Sequence, residues 1–384
     1  MTMRSPALPG GLAARVSTRV AFFVAGFGMS AWAPLVPYAK QRAGLDDAAL
    51  GLLLLCLGAG SLITMPLTGA LAPRLGCRAL IVAAAALVCL TLPLLGFLQA
   101  PFALGLALFL FGAGVGTVDV AVNIQAVQVE KANGRALMSG FHGLFSVGGI
   151  AGAGGVSLLL WLGAAPLEAA LAVSALIVVA ILACARHLLP DAGPASASGA
   201  AKGFAIPHGI VLFIGLLTFI AFLAEGAILD WSAVLLTAHK HLDAARAGLG
   251  YASFAIAMTF GRLYGDRIVQ TLGGKRVLVV GGLLSAAGLA LAVFAPYWPL
   301  ALAGFALVGL GASNIVPVLY SAIGRQQAMP DHQAVAAVTT LGYAGILAGP
   351  ALIGLVAHLI GLPFALLGVA ALLTLVAASA RIGA

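Results

Sequence analysis

Apolar runs of about 20 residues, the length of helix that crosses a bilayer's hydrocarbon core, follow one another along this chain with short polar or glycine-rich breaks between them. Twelve runs are read, at roughly 17–38, 48–72, 77–98, 102–129, 136–162 and 166–188, then 208–237, 246–268, 275–296, 298–324, 332–359 and 362–381. The predicted class is an all-α membrane protein in two six-helix bundles. Residues 1–188 and 207–384 form the bundles, and 189–206, small, polar and turn-rich, forms a flexible linker. Glycine landmarks repeat at a fixed interval. Gly76 recurs as Gly273, Gly112 and Gly114 as Gly309 and Gly311, and Gly148 and Gly152 as Gly345 and Gly349, each pair 197 residues apart. Paired halves of this kind are built to rock about a central site, as solute transporters do.

Composition agrees. Of 384 residues, 62% are hydrophobic and 8% charged, with mean hydropathy +1.13; soluble domains carry about 25% charged residues. Fifteen of the nineteen Lys and Arg, Arg4 and Lys202 among them, fall at segment ends on the side of the N-terminus. The positive-inside rule then predicts cytoplasmic termini and a cytoplasmic linker, in the cell (inner) membrane. The net charge of +8 and pI near 9.7 therefore report topology, and no nucleic-acid partner is expected. A signal-peptide reading of Ala31-Trp32-Ala33 would remove the first helix and leave the seventh without a counterpart. The four cysteines lie singly and the seven histidines are scattered, so neither metal nor cofactor is expected. No nucleophile triad or phosphate loop points to an enzyme.

Charges within the spans carry the chemistry. Asp119 and Glu225 lie deep in the fourth and seventh helices, where a charge costs about 2.5–3.5 kcal/mol to insert. Each must face a cavity, find a partner or stay neutral. No Lys or Arg is read as mid-span, so both acids are expected to lack a cation. One or both are expected to hold and release a proton, the alternative being a protonated acid that hydrogen-bonds between helices. Asn123, four residues after Asp119, shares its helix face, and Gly112 and Gly116 extend that face as the wall of a pathway or as a close helix contact. Asp230, about 140° around the helix from Glu225, belongs to the outer rim unless the helix bends or breaks to bring both to one cavity. Trp32, Gln125, His142, Trp231, Asn314, Tyr320 and Tyr343 are the further candidates for substrate contact. Interfacial anchoring is the alternative for the two tryptophans, and hydrogen-bonded packing for His142.

Gly69-Ala-Leu-Ala-Pro73-Arg74-Leu-Gly76-Cys-Arg78 and Gly261-Arg-Leu-Tyr-Gly-Asp266-Arg267 with Gly273-Gly-Lys275-Arg276 both resemble the paired cytoplasmic signature of the major facilitator superfamily. The resemblance implies a cytoplasmic gate carried by Arg74, Arg78, Arg262, Asp266 and Arg267, with Pro73 standing where the first signature has its Asp. Within the superfamily, Asp119-Val-Ala-Val-Asn123, Ala224-Glu225 and Ser313-Asn314-Ile-Val-Pro317 look like the fucose permease branch of sugar–proton symporters. That likeness implies that Asp119 couples protons and that Asn123 lies near the substrate. The stretch Gly26 to Trp32 holds no acid, unlike that branch's first helix, so fucose itself is not implied.

The combined expectation is a proton-coupled importer, working as a monomer in the bilayer, for a small neutral sugar-like solute. Without a free cation, an anionic cargo would lie uncompensated in a low-dielectric site. The rivals are a drug or metabolite exporter on the same fold and a sensor built on it.

Overall fold

A computed structural model describes residues 10–191, 206–243 and 246–383. Arg4, Lys202 and most of the expected linker lie outside the described residues. Within them the chain is helical and contains no strand. The N-terminal half holds α1 (Leu12–Ser30), α2 (Val36–Arg42), α3 (Asp47–Phe97), α4 (Pro101–Asn133), α5 (Met138–Trp161) and α6 (Pro166–Cys184). The C-terminal half holds α7 (Gly209–Lys240), α8 (Leu249–Leu263), α9 (Gly265–Phe294), α10 (Trp298–Ala312), α11 (Ile315–Ile323), α12 (Asp331–Ile360) and α13 (Leu362–Ala378). Among the described residues nine helical stretches are long and apolar enough to cross a membrane, and α13 is a shorter apolar helix.

Local chemistry sets the ends of these helices. Asp46 caps α3 by accepting the Ala49 N–H at 2.7 Å. Proline occupies the first turn of α4, α6, α10 and α13, where its missing N–H costs nothing. Outward-facing leucines and phenylalanines, such as Phe102 at 86% exposure, mark a surface whose solvent is lipid.

The structure redraws three expected boundaries. The second and third segments are two helices that follow each other within α3 without a loop, parted at a kink where Gly76 takes φ 76° and ψ 162°. The eighth segment ends as α8 at Leu263, and α9 bends at Gly273 with φ 76° and ψ 152°. Both bends need glycine, because an L side chain is strained at that φ. The tenth segment is divided into α10 and α11 at Ser313–Asn314.

The 197-residue repeat reappears as repeated contacts. Gly112 lies against the backbone of Leu57, and Gly309 against that of Phe254. Gly114 meets Ala84 and Val88, and Gly311 meets Gly281 and Ser285. In every case both partners are offset by 197, so the same close helix approach has been built twice.

Two compact units result. Unit one comprises Met1–Gly134, Leu144–Ile206 and Met329–Ala337, and unit two comprises Arg135–Gly143, Pro207–Ala328 and Val338–Ala384. The first turns of α5 thus belong to unit two, and the first turns of α12 to unit one.

Candidate functional site

In unit one, α4 carries the central polar group. Asp119 is half-buried and Asn123 is buried. One helical turn brings them together: Asn123 Nδ2 donates to the Asp119 carbonyl at 2.9 Å and to its Oδ1 at 3.3 Å. No cation among the described residues lies within ion-pair distance of Asp119. Asn123 Oδ1 is buried without a partner, so the pair has an acceptor to spare and lacks a donor. The glycines along this face pack instead of lining a path. Gly112 abuts Leu57 and Gly116 abuts Ser61, both on α3, and Ser61 Oγ donates to the Gly112 carbonyl at 2.8 Å.

Gln125 is spent on packing. Fully buried, it donates through Nε2 to Thr18 Oγ1 at 2.8 Å and accepts the Leu189 N–H on Oε1 at 3.1 Å. These two bonds tie α1 to α4 and to the chain leaving α6. Arg78, expected at the gate, holds the same returning chain, donating to the Leu188 carbonyl at 2.7 Å and the Arg186 carbonyl at 3.0 Å. Arg74 is exposed, and Trp32 is 5% exposed with its indole N–H unpartnered.

In unit two the expectation that Glu225 lacks a cation fails. Arg262 Nη2 lies 3.2 Å from Glu225 Oε1, with side-chain exposures of 8% and 18%. Its Nε also donates to the Ser313 carbonyl at 3.3 Å. Arg262, placed at the gate on sequence grounds, therefore acts inside the unit, neutralising the α7 acid. The sequence did hold a signal: Arg262 lies six residues inside the expected eighth segment, where an unpaired charge is unfavourable.

Asp266 does meet a neighbouring helix end. Its Oδ1 accepts the Gly140 N–H at 2.9 Å, placing a carboxylate at the positive first turn of α5. Arg267 is exposed. His142, two residues beyond Gly140, donates from Nδ1 to the Met138 carbonyl at 3.0 Å, and its ring lies 5.6 Å from that of Tyr320. Tyr320 is buried and shares a 2.6 Å hydrogen bond with Thr339 Oγ1. Asn314 donates to the Gly261 carbonyl at 3.1 Å and leaves Oδ1 unpartnered. Trp231 packs on Gly354 with its N–H unpartnered, and Tyr343 meets Phe222 edge-on at 6.3 Å. Asp230 is exposed. Sequence reasoning missed Ser139 and Gly265, whose close contact seats α5 on α9, and the Lys131–Asp331 ion pair at 2.7 Å in unit one.

Two helical units with acids held inside apolar helices define a polytopic membrane transporter. The chain is 56% identical over 380 residues to an uncharacterized MFS-type transporter of Yersinia pestis, covering 98% of this chain and 97% of that protein. It is 33% identical over 359 residues to the membrane protein MosC of Rhizobium meliloti, covering 93% and 86%. Residues 214–382 match the family model described as Major Facilitator Superfamily. Among solved structures, FucP in the outward conformation superposes with TM-score 0.82 at 18% identity, covering 96% of this chain and 98% of that one. The proton:xylose symporter XylE gives 0.67 at 15% identity, covering 95% and 94%. The chain belongs to the major facilitator superfamily.

Proposed function

We propose that this protein imports a small, neutral, sugar-like solute by alternating access, in symport with protons. The reading includes twelve crossings, both termini in the cytoplasm, and a monomer working in the inner membrane. The observation that carries it is Asp119: a carboxyl set deep in an apolar helix, with no cation at ion-pair distance among the described residues, beside an amide whose acceptor oxygen finds no donor among them. A proton on Asp119 removes the buried charge and provides an O–H donor next to that acceptor. Loss of the proton restores the charge, so the two protonation states favour different surroundings and can be coupled to different conformations.

Support for neutral cargo rests on different ground from the sequence reading. A cation is present, but Glu225 already compensates Arg262, which leaves no net positive charge there for an anion. The solved structures that share this fold include a fucose:proton and a proton:xylose symporter, which supports a sugar-like cargo. Gln125 and Arg78, committed to contacts inside unit one, are left out of the proposed site. Asp119, Asn123 and Trp32 remain candidates in unit one, and Trp231, Asn314 and Tyr343 in unit two. His142 and Tyr320 are kept as neighbouring candidates within unit two, and Asp266 at the α5 terminus retains the gate.

The test is uptake of a labelled panel of sugars and polyols by purified protein in liposomes under an inward proton gradient. Uphill accumulation of one of them is expected, and Asp119→Asn should abolish it while leaving solute counterflow. Retained uphill accumulation in that variant removes Asp119 from the coupling. Exchange of hydrophobic cations with no sugar or polyol transport would replace import by the exporter reading.

A further inference from the structure

The internal repeat builds two equivalent bends, and among the described residues only one of them is covered. At the α3 bend, a side chain on Gly76 would strike the carbonyl of Pro190, with Asp191 close behind. Arg78 holds this covering chain. Its backbone N–H donates to the Leu189 carbonyl at 2.9 Å, and its Nε and Nη2 donate to the Leu188 carbonyl at 3.1 and 2.7 Å. The bend of unit one is therefore closed by a strand of oxygens gripped by a cation.

At the α9 bend the same φ of 76° recurs at Gly273, and the cation 197 residues after Arg78 is Lys275, followed by Arg276. Here no described atom lies within 4 Å of where a Cβ on Gly273 would sit. Lys275 and Arg276 are exposed, as is Arg267 on the other arm of the bend. Alongside runs a crevice of about 200 Å³ within unit two, between Ile268 and Leu272 on the short arm of α9, Val277 and Val280 on the long arm, and Leu310 on α10. Leu272, Val280 and Leu310 are 43%, 55% and 45% exposed, so the crevice opens on the apolar surface. Asn314, 5% exposed with Oδ1 unpartnered, forms its one polar end with Ser313.

We propose that this crevice with Lys275 and Arg276 binds an anionic phospholipid from the surrounding membrane. One acyl chain occupies the crevice. The phosphate oxygens meet Lys275 and Arg276, in the role that the Leu188 and Arg186 carbonyls play for Arg78 in unit one. A soluble phosphate would gain nothing from apolar walls open to lipid, and a zwitterionic lipid would satisfy the crevice while neutralising less of the basic charge. The lipid site does not rest on proton coupling, and Asn314 is the residue it shares with the proposed solute contacts.

The full-length protein in detergent is incubated with phosphatidylglycerol, with phosphatidylcholine of the same chains, or with glycerol phosphate. Retained lipid is counted by native mass spectrometry, alongside the thermal unfolding midpoint. Phosphatidylglycerol should be retained in preference to phosphatidylcholine, and glycerol phosphate should have no effect. The double variant Lys275→Gln, Arg276→Gln should weaken that preference about thirtyfold, from two surface cations each acting on an anionic lipid. Val280→Phe, which fills the crevice, should lower retention of both lipids. Arg19→Gln, which removes a cation from the other unit, should leave both unchanged. Equal retention of the two lipids, an unchanged preference in the double variant, or the same loss with Arg19→Gln would each overturn the proposal.

Discussion

Separating Glu225 from Arg262 tests the account of unit two most directly. The two side chains are 18% and 8% exposed and 3.2 Å apart, so water screens them little and removing either leaves the other's charge buried without this contact. Removing one partner of a buried pair costs about 3–5 kcal/mol, whereas replacing both with apolar groups of similar volume is often nearly neutral. Arg262→Met also forfeits the 3.3 Å bond to the Ser313 carbonyl, a long contact worth less than about 1 kcal/mol. We therefore expect Arg262→Met to destabilise by about 4 kcal/mol and Glu225→Leu by about 3 kcal/mol. The double variant should lose less than either single one. Chemical unfolding of the purified protein in detergent, followed by tryptophan fluorescence, gives the three values. If the single losses add to within about 0.5 kcal/mol, the residues are not coupled and the ion pair does not hold α7 to α8.

Asp266→Asn keeps an acceptor for the Gly140 N–H but removes the charge from the α5 terminus, a loss of about 0.3–1 kcal/mol; cysteine accessibility from the two membrane faces should shift, and unchanged accessibility would remove the gate role. Gly76→Ala and Gly273→Ala both force alanine to a φ of 76°, at about 1–2 kcal/mol each. Only Gly76→Ala also drives a methyl into the Pro190 carbonyl, so its thermal midpoint should fall further, and equal falls would refute the covered-and-open contrast. Gln125→Leu leaves the Leu189 N–H and Thr18 hydroxyl without their partner, at about 1–3 kcal/mol; stability should drop with the KM for transported solute unchanged, and a raised KM with unchanged stability would return Gln125 to the substrate path.

Much of the architecture was legible because it rests on local chemistry. The apolar runs follow from hydrophobic length, and Gly76 and Gly273 stand out as landmarks of a constant 197-residue offset. Asp119 with Asn123 was legible too, since a spacing of four places two side chains together whatever surrounds the helix. Glu225 was misjudged because its partner is 37 residues away on another helix. Arg262 was counted at a segment end, and the angle that points it inward is set by how α8 packs on α7 and α10. The same limit explains Gln125, whose partners Thr18 and Leu189 lie 107 and 64 residues away.

By itself, the order of residues determined that the chain lives in lipid as helices, that its halves are copies, and that acids sit where lipid disfavours them. Hydrophobic length, charge asymmetry and a constant offset are properties a linear chain carries. Tertiary structure alone decided which acid is neutralised and which stands without a cation, which glycines let helices touch, and which of two equal bends is covered. Those outcomes depend on distances of a few ångströms between helices, which packing across the whole unit sets and no local spacing encodes.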